Sequence, residues 1–104
     1  MEYLSGELKD MITIQPGAVV SKTLVKKEKG TVTLFGFSEG QGLSEHTAPF
    51  DALVQVYQGE VEIVLGGKDK VILNKGNILV MPANISHSLK AKSDMIMLLT
   101  MIRE

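Results

Sequence analysis

Hydrophobic and polar residues alternate with a period of two through most of the chain after residue 17, which is the pattern of half-buried β-strands. The alternating stretches are short, rich in β-branched residues and separated by glycine-containing turns, so that a new stretch begins about every eight to twelve residues. They cover residues 18–25, 31–37, 52–57, 60–65, 68–73, 78–81, 85–90 and 95–102. Regular spacing of this kind is typical of sandwiches and barrels. We therefore predict an all-β fold, a small antiparallel β-barrel or jelly roll.

The two faces of these strands indicate where the core lies. In the stretch 60–65, Val61, Ile63 and Leu65 share one face, and the two glutamates share the other, so the three apolar side chains are expected to point inward. The stretch 95–102 is apolar on both faces. A strand of this kind needs cover on both sides, either from a second layer or from a subunit interface, and we therefore expect a homodimer.

The first 17 residues lack the alternation of the rest. We predict that residues 1–17 form an extension packed on a single barrel domain of residues 18–104. Within the extension we expect a short helix or coil and then an edge strand in the apolar run 11–14, which Pro16 and Gly17 end.

Composition narrows the class of protein. The chain has 104 residues, of which 44% are hydrophobic and 22% charged, with a formal net charge of -1, as in an ordinary single globular domain. No basic stripe indicates a nucleic-acid partner, because the one basic cluster, 26–29, contains a glutamate and precedes a glycine turn. The absence of cysteine excludes disulfides, thiolate zinc sites and cysteine nucleophiles. Since no signal peptide or membrane-spanning run is visible, we expect a cytoplasmic protein without a membrane partner.

The chain has two histidines, and both occur where a turn meets a strand. His46 follows a glycine-rich loop at 38–45 and precedes the stretch 52–57. His87 follows the stretch 78–81 and Pro82. We predict that the fold brings the two imidazoles together inside the barrel. Two imidazoles in contact are the smallest set of side chains from which a metal site or a polar pocket is built.

The spacing around His46 resembles the first motif of the cupin family, specifically of its short single-domain bacterial members. That motif reads glycine, five residues, histidine, one residue, histidine, three or four residues, glutamate, six residues, glycine. Gly40, His46 and Gly59 match it, whereas Ala48 stands at the second histidine and Ala52 at the glutamate.

The spacing around His87 resembles the second cupin motif, which reads glycine, five residues, proline, four residues, histidine, three residues, asparagine. Gly76, Pro82 and His87 match, and Ala91 stands at the asparagine. The resemblance covers roughly residues 30–102 and implies the cupin barrel. In cupins the three ligands of the first motif and the histidine of the second usually hold a divalent metal, so the resemblance implies a metal site reduced to two of its four ligands.

Other side chains are candidates to replace the missing metal ligands. Asp51 neighbours the glutamate position, but it faces the opposite side from Ala52 unless the strand bulges, and bracing the turn after Pro49 is the role we favour. Four methionines offer thioether sulfur suited to copper in its lower oxidation state. Filling the core is the commoner role of such residues. They are Met81, Met95, Met97 and Met101.

Two functional hypotheses follow. The first is a binding module with no cofactor or with a weakly held divalent metal, because alanine at two ligand positions leaves an apolar pocket with two polar groups. The residues expected to line this pocket are His46, His87, Val54, Val56, Met81 and Phe50. The second is a metal-dependent enzyme of the isomerase, cyclase or dioxygenase type with both histidines as ligands, or one that uses an imidazole as general base. The sequence identifies no catalytic residue.

Overall fold

The structure is a computed structural model that describes residues 2–104, and it consists of two antiparallel β-sheets packed face to face. The elements are α1 (Leu8–Met11), β1 (Val19–Lys27), β2 (Gly30–Phe37), β3 (Gly42–His46), β4 (Asp51–Gln58), β5 (Glu60–Leu65), β6 (Asp69–Asn74), β7 (Ile78–Met81), β8 (His87–Ala91) and β9 (Met95–Ile102). One sheet has five strands in the order β1-β2-β9-β4-β7, and the other has four in the order β3-β8-β5-β6. This arrangement confirms the predicted all-β jelly roll.

The core lies between the inner faces of the two sheets. Val61 and Ile63 of β5 are fully buried, as the alternation of that strand predicts. The methionines of β7 and β9 also fill this space, and Met81, Met95 and Met97 expose 2% or less of their surface. The flexible thioether side chain suits such a space because it adapts to irregular gaps.

The N-terminal segment, residues 2–17, lies across the outer face of the five-stranded sheet. Ile12 and Ile14 sit over Gly36, which has no side chain to hold them away. Leu34 and Ile96 lie on the same outer face and are buried, with 0% and 3% of their surface exposed. The first residue of the predicted extension, Met1, lies outside the described residues.

Two local predictions were wrong. The run 11–14 does not form an edge strand, because α1 takes its first residue and the rest crosses the outer face of the sheet without entering its hydrogen-bonded ladder. The stretch 38–45 is not all loop, because β3 occupies Gly42–His46 and pairs with β8. Among residues 2–104, no helix has the length and apolar character needed to cross a membrane.

Candidate functional site

A bulge in β3 decides which way His46 faces. Leu43 pairs with Leu89, and the next pair is His46 with His87, so three steps along β3 match two steps along β8. In a regular strand, residues three apart face opposite sides. The extra residue returns His46 to the face that Leu43 occupies, which is the inner one, because Leu43 packs against the core cluster.

His87 reaches the same face by ordinary alternation. It lies two residues before Leu89 and four before Ala91, and these two side chains are buried at 6% and 1% exposure. The imidazoles of His46 and His87 meet edge to face, with ring centroids 4.3 Å apart and planes inclined by 63°. The two rings therefore lie together, as predicted, but at one end of the barrel and not inside it. His46 is exposed and His87 is half-buried, so the pair is open to solvent.

Each imidazole is oriented by a backbone carbonyl two residues earlier. Nδ1 of His46 lies 2.7 Å from Ser44 O, and Nδ1 of His87 lies 3.1 Å from Ile85 O. A carbonyl oxygen can only accept, so Nδ1 carries the proton in each neutral ring. Both Nε2 atoms then keep a lone pair, which can accept a hydrogen bond or coordinate a metal.

A cleft of about 350 Å³ opens between the β5–β6 turn and the β7–β8 loop, and neither imidazole is among the side chains that line it. Its walls come from the β5–β6 turn and from the end of β7 with the loop that follows. Gly66 N–H donates to Ser86 O at 2.8 Å and joins these two walls. The lining is mostly apolar, with one lysine and one aspartate, and consists of Leu65, Gly66, Lys68, Asp69, Val80, Met81, Pro82 and Ile85. Leu65 pairs with His87 across β5 and β8, so one lining residue of the cleft is the strand neighbour of His87.

The other four residues predicted to line the pocket lie in three different parts of the structure. Met81 lines the cleft. Val54 and Val56 are buried in the core, with 0% and 3% exposure. Phe50 is half-buried beneath the guanidinium of Arg103, which lies 5.2 Å from the ring centroid.

Asp51 holds a loop at the same end of the barrel. Its Oδ1 accepts the N–H of Ala83 at 2.9 Å, and Ala48 O accepts the N–H of Asn84 at 2.9 Å. The register of β4 is regular from Asp51 to Val56, so no bulge turns Asp51 to the inner face. Its carboxylate thus braces the β7–β8 loop that carries the chain to His87.

The residues present do not fit a four-ligand metal site. Ala52 lies on the inner face, at 6% exposure, and offers no donor atom, and neither does the side chain of Ala48. No group of three or more histidine, cysteine, aspartate or glutamate side chains within residues 2–104 is placed to hold a metal ion. Divalent first-row metals are usually held by three or more protein ligands, and this site supplies two imidazoles.

Sequence reasoning missed most of the cleft. Leu65, Gly66 and Ile85 were not predicted to line a pocket, although alternation along β5 places Leu65 on the inner face. The missing information is that the β5–β6 turn and the β7–β8 loop meet. That contact joins distant parts of the chain and has no local signature in the sequence.

Comparisons with known proteins agree with this architecture. A family model described as "Cupin domain" matches residues 33–103, more than half of the chain. No curated protein matches the sequence.

Several solved structures are similar to this chain. A conserved protein of unknown function from Streptococcus pyogenes has 29% identity and a TM-score of 0.93, with 100% of this chain and 90% of that one covered. A cupin superfamily protein from Desulfitobacterium hafniense has 26% identity and a TM-score of 0.87, with 91% and 86% covered. A cupin 2 conserved barrel domain protein from Leptotrichia buccalis has 39% identity and a TM-score of 0.86, with 90% and 45% covered. The family match and the shared barrel lead to one conclusion: this chain belongs to the cupin family.

Proposed function

We propose that this cupin binds a small organic molecule at the histidine end of its barrel. The observation that carries the proposal is the imidazole pair, whose Nε2 atoms make no hydrogen bond within residues 2–104, together with an apolar cleft of about 350 Å³ that contains Leu65, the strand neighbour of His87. Apolar concave surfaces with a few converging polar groups are the usual form of ligand sites. The expected ligand has an apolar body that fits the cleft and a polar group that reaches an imidazole.

A thermal-shift screen of small polar and apolar compounds tests the proposal, because a ligand that binds the folded state raises the melting temperature. The hits are then titrated against His46→Ala, His87→Ala and Ile85→Trp, the last of which fills the cleft. Lys90→Ala is the matched control for His87, because Lys90 lies on the same strand and is exposed on its outer face. Ile72→Trp, on the outer face of β6, is the control for Ile85.

We expect the two histidine variants and Ile85→Trp to weaken binding at least about tenfold, which corresponds to 1.4 kcal/mol, and the two controls to leave it unchanged. Equal loss in Lys90→Ala or Ile72→Trp contradicts the proposed site. Binding that survives all three site variants contradicts it as well.

The second candidate is a metal-dependent enzyme, and the observation that favours it is that both Nε2 atoms make no hydrogen bond within residues 2–104. Bound metal would supply Lewis-acid chemistry, with the two imidazoles as its protein ligands. Because two imidazoles alone bind weakly, we propose that the chain holds no divalent metal tightly. Elemental analysis of protein purified without a metal-affinity tag distinguishes the candidates. Near-stoichiometric metal that His46→Ala or His87→Ala removes would favour the enzyme.

A further inference from the structure

The tautomer of the two imidazoles limits the polar groups that a ligand can use. Nδ1 of His46 donates to Ser44 O at 2.7 Å, and Nδ1 of His87 donates to Ile85 O at 3.1 Å. A neutral imidazole has one N–H, so the second nitrogen of each ring can only accept a hydrogen bond. Neither Nε2 receives one from a group within residues 2–104. The pair therefore presents two acceptors and no donor.

The two rings cannot satisfy each other, because two acceptor nitrogens do not form a hydrogen bond. Their centroids are only 4.3 Å apart, which is close enough for one small group to contact both rings. The strand neighbour of His87 in β5 is Leu65, whose side chain has no donor. What the pair lacks is a group that donates two hydrogen bonds.

The charges at the cleft favour neither an anion nor a cation. The lining contains one lysine and one aspartate, Lys68 and Asp69, which are adjacent in the chain and exposed. Their opposite charges offset each other, and solvent screens both. The rest of the lining is mostly apolar. The choice of polar group therefore depends on the two imidazoles.

We propose that the ligand carries a group with at least two N–H or O–H bonds, such as a primary carboxamide, on an apolar body. The proposal rests on the proposed function and specifies its ligand class. The group donates one hydrogen bond to Nε2 of each imidazole. A carboxylate or a ketone has only acceptor atoms, so it would displace water from both nitrogens and leave them unpaired. Sites that hydrogen-bond a ligand group discriminate against analogues that lack it.

Three probes of nearly the same shape test the ligand class. Benzamide has two N–H bonds, acetophenone has a methyl group in place of the amide nitrogen, and benzoate has an oxygen there. Each is titrated by NMR into protein freed of metal with EDTA, at about pH 8, where an ordinary imidazole is neutral. We expect benzamide to bind at least about tenfold more tightly than acetophenone or benzoate.

His46→Lys reverses the chemistry of one ring position, because a lysine ammonium only donates hydrogen bonds. His46 is exposed, so the lysine is not forced into the core. We expect this variant to bind benzoate more tightly than benzamide. Ile72→Lys is the matched control, since it adds the same charge at a 43% exposed position on the outer face of β6. It should keep the original order of the three probes.

Benzamide that binds no more tightly than acetophenone or benzoate overturns the ligand class, and so does failure of all three probes to bind. An unchanged order in His46→Lys, or the same reversal in Ile72→Lys, overturns it too. The proposed function is decided separately. If a probe of the wrong class binds and both His46→Ala and His87→Ala remove it, the histidine site stands and only the donor class is wrong. Binding that neither alanine variant changes contradicts both.

Discussion

Gly59 has a left-handed backbone conformation and also lies in close contact with the β8–β9 turn. Its φ is +81°, a region that L-residues other than glycine rarely occupy. A Cβ at this position would also collide with the carbonyl oxygen of Asp94 and lie 2.9 Å from Ser93 Oγ. The hydroxyl of Ser93 in turn accepts the N–H of Glu60 at 3.0 Å. The glycine that closes the first cupin motif therefore has a structural role.

We predict that Gly59→Ala lowers the free energy of unfolding by about 3 kcal/mol, the sum of backbone strain and overpacking. Gly76→Ala is the matched control, because Gly76 has a φ of +88° but open space where the Cβ would lie. It should cost about 1 kcal/mol. Urea unfolding measures both values. Equal losses of stability would show that the close contact between position 59 and the β8–β9 turn does not affect the free energy of unfolding.

The two histidines make few contacts that stabilise the fold. His46 is exposed, and within the described residues each ring makes one hydrogen bond, to a carbonyl two residues away. We predict that His46→Ala and His87→Ala each change the free energy of unfolding by less than about 1 kcal/mol. Urea unfolding of the two variants checks this. A loss above about 2 kcal/mol would identify the rings as structural elements of the barrel.

At the scale of elements, ion pairs join β5 to β6 and to the β8–β9 turn, because Glu62 of β5 contacts Lys70 of β6 and Lys92 of that turn. Lys70 donates a side-chain hydrogen bond to the carboxylate of Glu62 and, together with the positive charge of Lys92, lowers the pKa of Glu62 below its ordinary value of 4.5. A carboxyl whose pKa is lower in the folded state stabilises the protein above its unfolded pKa. That contribution is lost as the pH falls through the folded value.

Glu62→Gln is therefore expected to flatten the decrease in stability below about pH 4.5. The measurement is the urea midpoint as a function of pH, at low and high salt, since salt screens exposed charges. Glu60→Gln is the control, because Glu60 lies two residues away on β5 and forms no ion pair within residues 2–104. An unchanged acid slope in Glu62→Gln would show that the lysines contribute nothing to stability at this site.

Most elements could be predicted from the alternation of apolar and polar residues. β5 and β9 were recognisable because Val61, Ile63 and the methionines of 95–102 recur at a period of two. β3 escaped recognition because its five residues include Gly42 and three polar side chains, and its bulge breaks the period. Its pairing with β8 depends on a partner more than 40 residues away, which no local pattern reveals.

At the scale of the whole molecule, the N-terminal segment is a partial third layer. It explains why β9 is apolar on both faces, since the methionine face fills the core and Ile96 lies beneath the segment. Only the part of β9 near Ile102 is left without cover. The homodimer expected from this strand therefore has a smaller surface to use than the sequence suggests.

We predict that Ile14→Ala lowers the free energy of unfolding by about 1–2 kcal/mol, because Ile14 is half-buried over Gly36 and its removal leaves a gap. Thr13→Ala, at the exposed neighbouring position, should change stability by less than about 0.5 kcal/mol. Thermal and urea unfolding check both values. Equal effects would mean that the segment lies on the sheet without stabilising it.

The candidate site was predictable only in part. The motif spacing identified His46 and His87 and located the two alanines that replace metal ligands. The cleft depends on a hydrogen bond between Gly66 and Ser86, and the exposure of Ile78, Val80 and Ile102 depends on how far the N-terminal segment extends. Both are properties of packing between distant segments, so they became visible only in the folded chain.

The irregularity in β3 makes the barrel tolerant of a change in chain length. Removing either Ser44 or Glu45 would leave Leu43 and the imidazole two residues apart, which is the spacing of an uninterrupted ladder. The shortened strand would still present its histidine to His87. Proteins of this architecture that differ by one residue before the first histidine are thus able to keep the same pair of rings, and an NMR contact between the imidazoles of the deletion variant would record it.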